Sequence, residues 1–551
     1  MTLSRQLWAT GHLLRSGMIT PMRPSRYLGM ARILRDYGPH ATTGFALAAN
    51  RNPDGVGLID ERGSLTWREI QERADALAVG LVGLQDEPGG TSRWHAGSGQ
   101  RGTKAVAILC RNHRGFVDAL LAASRLGASS LLLNTGFSAP QLADVLEREG
   151  ATLIVYDEEF AGLVAEARAR IPGLAEVLSW VDDTSASHSV QTAERLIDAH
   201  RGAHPPHARP GKVVLLTSGT TGTPKGANRS GGGPEELAAM LERIPWHGGE
   251  TIVVAAPTFH AWGFGQLVIA ATMANTVVLR RKFDPAATLA LADKYGATGI
   301  AVVPVMLERM MELPVRELEK YTLDALRFVT ASGSRMRGEA VLAFMNRFGD
   351  KIYNSYNATE AGQISVASPE DLRHAPDTAG RPVEGTSVRL VDDDGNDVPV
   401  GEVGRIVLRG ASEFDGYTTG DTKASLDGWM VSGDVGRMDA DGRLYVVGRD
   451  DDMIVSGGEN VYPVEVERAI GELPDVREVV VTGVDDEKFG QRLAAYIVLS
   501  SQDALDADAV RAHVKSQLAG YKVPRDVVFL EELPRNASGK VVVRDLPGAS
   551  A

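Results

Sequence analysis

Cysteine is almost absent: Cys110 is the single one in 551 residues. That excludes an internal disulfide framework and a cysteine metal cluster, and it fits a reducing compartment such as the cytoplasm. Its setting, Ala105-Val106-Ala107-Ile108-Leu109-Cys110, reads as a packed strand and not as a nucleophile's loop. No run of about eighteen apolar residues occurs, so no transmembrane helix is expected. An excess of positive charge is missing too. The formal net charge is −13, whereas nucleic-acid binding needs a basic footprint, so no nucleic-acid partner is expected. Internal repeats and low-complexity tracts are also lacking. What remains is an ordinary globular composition, 43% hydrophobic and 23% charged. It is spread over a chain too long for one core, so two or more domains are expected.

The chain is organised around one loop, Thr217-Ser218-Gly219-Thr220-Thr221-Gly222-Thr223-Pro224-Lys225-Gly226. It follows the apolar run Val213-Val214-Leu215-Leu216, the pattern of a buried strand. Its glycines let the backbone come close to a ligand. The hydroxyls and the lysine supply donors and positive charge, the chemistry of a polyphosphate cradle. It is not a Walker loop. A Walker lysine follows glycine and precedes Ser or Thr, whereas Lys225 stands between Pro224 and Gly226.

The first forty residues carry Arg5, Arg15, Arg23, Arg26, Arg32 and Arg35 against one acid, Asp36, with Leu3, Leu7, Trp8, Leu13, Leu14, Met18 and Ile19 interspersed. No uninterrupted apolar core is present, so a secretory signal is not expected. Two readings stand: a basic amphipathic helix at a membrane surface, or a helix docked on its own domain. From Gly55 the chain reads as folded. A hairpin of Val56–Asp60 and Ser64–Trp67 leads to a helix over Arg68–Leu84. Gln85 to Thr103 reads as an exposed loop. Its Gly97-Ser98-Gly99-Gln100-Arg101-Gly102 matches GxGxxG but precedes a strand, so a dinucleotide site is rejected. Lys104 to Tyr156 has βαβαβ rhythm, the mark of a parallel sheet. After Pro382 the character turns to β. Asp392–Asp397 fails the glycine position of a calcium loop and reads as a charged hairpin turn. Beyond Gly448-Arg449-Asp450-Asp451-Asp452 come short elements at Pro463–Ile470, Val476–Val481, Arg492–Leu499, Ala507–Leu518 and Val527–Leu530. They suit a separate small α+β domain.

The loop, the stretch Tyr356-Asn357-Ala358-Thr359-Glu360, the polar junction and the tail together resemble the adenylate-forming superfamily. That superfamily holds acyl- and aryl-CoA synthetases, nonribosomal peptide adenylation domains and firefly luciferase; the acyl-CoA synthetases (fatty acid–CoA ligases) look nearest. The resemblance implies an α/β fold, with a large N-terminal multi-sheet domain and a small mobile C-terminal α+β domain. The expected division is 1–54 basic extension, 55–449 AMP-binding domain and 450–551 mobile domain.

The resemblance also assigns roles. Thr217, Ser218, Gly219, Thr220, Thr221, Gly222 and Lys225 match the loop that holds the ATP phosphates, with Thr217 also offered to the metal. Tyr356 matches an aromatic that stacks on adenine, Thr359 a contact to the α-phosphate, and Glu360 a magnesium ligand. Asn357 replaces the usual glycine, a departure that bears on the backbone there. Asp434 and Arg449 match ribose-binding residues. Asp451 matches the hinge about which the small domain swings, Gly457-Gly458 the wall of the pantetheine tunnel, and Lys540 the adenylation lysine. Phe259, Trp262, Gly263 and Gly333 fall where the family lines its acyl pocket. His260 reads either as a gate between the acyl and CoA pockets or as a satisfied core histidine.

The implied reaction joins a carboxylate to Mg-ATP, giving acyl-AMP and pyrophosphate, after which the CoA thiolate attacks. Two anions must meet, so positioning and charge cancellation by Mg2+ and lysine carry the catalysis. A medium- or long-chain fatty acid is the expected substrate. The alternatives are a fatty acyl-AMP ligase that loads a carrier protein and a catalytically weak nucleotide-binding scaffold.

Overall fold

The computed structural model describes residues 3–84, 105–217, 225–229, 233–410, 414–418, 420, 422–450, 453–456, 459–486, 490–501, 505–536 and 539–548. The expected loop over 85–103 and its GxGxxG stretch lie outside the described residues. Two compact units separate. The first holds Met1–Pro376, Val383–Gly385 and Gly410–Thr422; the second holds Asp377–Pro382, Thr386–Arg409 and Lys423–Ala551.

In the first unit, fully buried apolar runs become parallel strands, as expected of strands covered on both faces. One sheet runs in the order Phe414–Tyr417, Lys225–Arg229, Val213–Thr217, Ser129–Leu132, Ala105–Leu109, Ala151–Tyr156, Ala175–Leu178. Its members from Val213–Thr217 onward are parallel. Helices Arg114–Arg125 and Ala139–Arg148 make the crossovers, which is the βαβαβ rhythm of the sequence. In the second sheet, Ile352–Ala358, Phe328–Ala331, Gly299–Val302, Thr251–Val254, Thr276–Val278 and Val56–Asp60 lie side by side in parallel. Gly362–Ala367 and Gly63–Thr66 join it in antiparallel pairing.

One local expectation is corrected. Trp67 does not end the hairpin strand but opens helix Trp67–Gly83. Thr66 and Glu69 form a reciprocal capping box there, and the satisfied amides set the helix start one residue earlier.

Polar side chains clamp the two sheets at their carboxyl ends. Asn112, just after Ala105–Leu109, donates to the Ala256 carbonyl (2.9 Å) and accepts from the Thr258 amide (2.9 Å) and hydroxyl (3.0 Å). Arg114 grips the buried Asp60 carboxylate at the end of its strand. Cys110 is fully buried; burial, and then the Asp157 carboxylate, pushes its thiol well above the ordinary range. It is a packing residue, as its apolar setting implied.

The second unit has two antiparallel-rich sheets. Ser387–Val391, Gly404–Arg409, Trp429–Met438 and Leu444–Arg449 form one, with the short Ser425–Leu426 at its edge. The turn at Asp392 is a charged hairpin turn, its carboxylate accepting the Asp394 and Asn396 amides. The other sheet joins Glu459–Val461, Ile454–Ser456, Gly490–Leu499, Val476–Asp486 and Asp526–Leu530, with helices Pro463–Gly471 and Ala507–Gln517. The apolar faces of these elements, including Ile454, Val466, Ile470, Leu493, Ile497, Val510 and Val514, close its core.

Candidate active site

In the first unit the two strands that flank the cradle loop form an antiparallel pair. Thr217 ends its strand and pairs with Lys225 in antiparallel register, so residues 218–224 connect two neighbouring strands. A Walker loop instead opens a helix, so the departure at Lys225 marks a different architecture. Ser218, Gly219, Thr220, Thr221 and Gly222 lie outside the described residues. The returning strand Lys225–Arg229 pairs with Phe414–Tyr417. Gly226 is required here, because an added Cβ would stand 2.8 Å from the Thr418 hydroxyl and 2.7 Å from Val214. The Thr418 amide also bonds the Gly226 carbonyl at 2.8 Å.

That flanking strand delivers a residue which the sequence reading missed. The Tyr417 hydroxyl donates to Glu360 Oε1 at 2.6 Å. Glu360 is 9% exposed, in the turn after Ile352–Ala358. A carboxylate held this way has one oxygen engaged and presents the other as a hard anionic donor, which suits Mg2+. The bond also ties the strand that pairs with Lys225–Arg229 to the turn bearing Glu360. A lone tyrosine after Phe414-Asp415-Gly416 carries no periodic or motif signal, so only the fold could reveal it.

The rest of the first unit's set lies along one sheet edge. Tyr356 and Asn357 end strand Ile352–Ala358, with Thr359 and Glu360 just beyond. Asn357 sits at a register shift against Gly362–Ala367, and its side-chain oxygen accepts the Ser332 hydroxyl at 3.0 Å. It is not among the described residues with positive φ, so this backbone does not require glycine. Ser332 and Gly333 follow the neighbouring strand Phe328–Ala331, and Val303 follows the next, Gly299–Val302. Gly333 has φ +106°, and a Cβ there would approach Val303.

One strand further on, Phe259 and His260 lead into helix Ala261–Thr272. Phe259 and Trp262 are buried, and the Trp262 ring nitrogen donates to the Val302 carbonyl at 2.9 Å. Gly263 leaves no room for a side chain, since its Cβ would stand 2.2 Å from the Pro257 carbonyl oxygen. The His260 ring lies 4.6 Å from that of Phe259. The Tyr356–Glu360 stretch and the apolar stretch thus occupy the carboxyl ends of parallel strands in one sheet, the edge where open α/β sheets bind ligands. Three strand spacings, roughly 14 Å, separate their outer members.

The second unit brings Asp434, Arg449 and Lys540 together. Asp434 and Arg449 face each other across strands Trp429–Met438 and Leu444–Arg449, with Nη1 3.8 Å from Oδ1. Gly433, at φ +85°, makes the turn in which Ser432 Oγ accepts the Asp434 amide. Lys540 stands in a turn where the Asn536 side chain accepts the Lys540 amide (3.0 Å) and the Asn536 amide returns to the Lys540 carbonyl (2.8 Å). The side chain reaches solvent, yet its ammonium is held below the usual lysine range. Desolvation is the main cause and the Arg449 guanidinium the second, with the Asp434 carboxylate acting the other way. Asp451, Gly457 and Gly458 lie outside the described residues.

Comparison with known proteins adds the lineage. The family model "AMP-binding enzyme" matches residues 45–418, and "AMP-binding enzyme C-terminal domain" matches 465–540. An indoleacetate–CoA ligase of Aromatoleum aromaticum is 35% identical over 455 residues, covering 81% of this chain and 88% of that protein. The long-chain-fatty-acid–CoA ligase FadD13 of Mycobacterium tuberculosis is 30% identical over 446 residues, covering 79% and 86%. Among solved structures, the o-succinylbenzoate CoA synthetase of Bacillus subtilis with its acyl-adenylate intermediate aligns with a TM-score of 0.74. It is 25% identical over 92% of this chain and 99% of that one. The chain belongs to the AMP-binding enzymes, the adenylate-forming superfamily that includes the acyl- and aryl-CoA ligases.

Proposed function

We propose that the protein activates an apolar carboxylic acid with Mg-ATP, through an acyl-adenylate, and passes the acyl group to CoA. The Glu360–Tyr417 bond carries this reading. It joins the strand paired with the returning arm of the phosphate loop to the turn after the nucleotide stretch, and that stretch shares a sheet edge with Phe259, Trp262 and Gly333. An acid lodged among those side chains has its carboxylate directed toward the nucleotide end of the edge. When bound, Mg2+ supplies counter-charge to the phosphates, with Glu360 and Thr217 as its holders. Thr359 and the cradle loop orient the phosphates, and Tyr356 stacks on the base. Asp434 and Arg449 take the ribose, and Lys540, by remaining protonated, offsets the charge that develops in adenylation. Asp451 is the hinge and Gly457-Gly458 the pantetheine wall in the thioester half-reaction. His260 is assigned as the gate, since it stands at the mouth of helix Ala261–Thr272 beside Phe259.

An aryl-substituted acid is the favoured substrate. The relative acting on indoleacetate matches at higher identity than the fatty-acid ligase, and the aligned solved complex holds o-succinylbenzoyl adenylate. A medium- or long-chain fatty acid is the second reading, supported by the likeness to the long-chain ligase. The test is turnover of arylacetic, arylpropenoic and fatty acids with and without CoA, following pyrophosphate, acyl-AMP and acyl-CoA by mass spectrometry. Aryl-CoA formation supports the first reading and fatty acyl-CoA the second. Acyl-AMP that accumulates despite CoA points to a carrier-loading ligase. ATP binding without pyrophosphate release, across all acids, overturns the assignment in favour of a scaffold.

A further inference from the structure

The arginine-rich N-terminus forms helices Leu3–Arg15 and Pro24–Tyr37. The second is docked on one side only. Asn50, from helix Thr43–Arg51, donates to the Arg26 carbonyl at 2.9 Å, and the Arg125 guanidinium lies 5.0 Å from the Tyr37 ring. Gly29 permits this approach, since a Cβ there would stand 2.2 Å from Asn50 Oδ1. Even so, no residue of helix Pro24–Tyr37 is buried. At 3.6 residues per turn, Tyr27, Leu28, Ala31, Leu34 and Arg35 share an arc of roughly 120°. Leu28 is 74% exposed, and Tyr27 and Leu34 are also exposed.

Helix Leu3–Arg15 repeats the design. Ala9 and Leu13 are buried on its inner side, while Leu7 and Leu14, seven residues apart on one face, are 66% and 53% exposed. Of the 13 exposed large hydrophobic residues among those described, six fall between Leu7 and Leu34. Arg15, Arg23 and Arg32 are exposed around them. A concentration of apolar side chains and arginine, on a chain whose net charge is −13, is not explained by folding or solubility.

We propose that the outer face of helix Pro24–Tyr37 docks on an anionic lipid bilayer, its apolar side chains entering the interface and the neighbouring arginines meeting the headgroups. Interfacial helices combine these features: one leucine- and tyrosine-bearing side, flanking arginines, and too short an apolar length to span. A second copy fits poorly, because a two-fold contact would bring two equally arginine-rich faces together. The two roles raised by the sequence, docking on the domain and touching a membrane, belong to opposite sides of one helix.

The full-length protein is sedimented with phosphatidylcholine vesicles, with and without about a third phosphatidylglycerol, at low and high salt. Binding is expected only with phosphatidylglycerol and falls as ionic strength rises. Leu28→Asp with Leu34→Asp abolishes it. Arg23→Ala with Arg32→Ala weakens it roughly 25-fold, about fivefold per arginine. All four positions are exposed, so the melting temperature stays at the wild-type value. The proposal is overturned if anionic vesicles fail to hold the wild type, or if these variants bind as it does. It is equally overturned if light scattering shows a dimer that Leu28→Asp with Leu34→Asp splits.

Discussion

Replacing Tyr417 by phenylalanine removes one oxygen and leaves the ring, so it isolates the bond to Glu360. At 2.6 Å this is a short hydrogen bond to an anionic acceptor, the stronger class. Such bonds contribute about 1.5–3 kcal/mol, and 1.4 kcal/mol is tenfold in an equilibrium. Without the hydroxyl, the Glu360 carboxylate loses the donor that orients it. If Glu360 holds Mg2+ for adenylation, Tyr417→Phe lowers acid-dependent pyrophosphate exchange at limiting Mg2+ by about tenfold or more, and raising Mg2+ restores part of it. The assay is exchange across a magnesium titration, beside a thermal melt of each protein. A purely structural tyrosine gives a lower melting temperature with an unchanged magnesium midpoint and rate. That result would refute the assignment of Glu360 as the metal holder.

Lys540→Ala is expected to cut acyl-adenylate formation by about 10²–10³ while sparing thioester formation from supplied acyl-adenylate; equal loss of both halves contradicts the role. Because the Lys540 ammonium is held below the usual lysine range, it loses its charge at a lower pH than an ordinary lysine. Adenylation therefore declines as pH rises through that lowered value. Lys540→Arg, which stays charged, moves the alkaline limb upward, and an unmoved limb counts against the argument. Asn112→Ala strands the Thr258 amide and the Ala256 carbonyl in a buried setting. It should destabilise the first unit by roughly 2–5 kcal/mol, read from urea unfolding, with a near-wild-type midpoint as the contrary outcome.

The sequence by itself determined the local grammar. Short buried apolar runs such as Ala105–Leu109 read as covered strands, and the spacing to the following helical segments makes their sheet parallel. The expectation of phosphate chemistry in Thr217 to Gly226 rests on glycine, hydroxyl and lysine, which keep their meaning wherever the loop is placed. The membership in the AMP-binding enzymes was legible in ordered motifs for the same reason. Capping was not legible at single-residue precision: Trp67 turned helical because Thr66 and Glu69 satisfied the first amides between them.

Only the tertiary structure decided the rest. Tyr417 reaches Glu360 because a strand 57 residues further along the chain pairs with the arm of the phosphate hairpin. Strands Ser387–Val391, Gly404–Arg409, Trp429–Met438 and Leu444–Arg449 cluster with the second unit because their ladder partners lie within it. Asn357 stands where the family pattern has glycine because a register shift and the Ser332 hydroxyl accommodate its side chain. Sequence spacing records what each residue can do. Which residues meet depends on pairings and packing between distant segments, and those are set by the burial of the whole core.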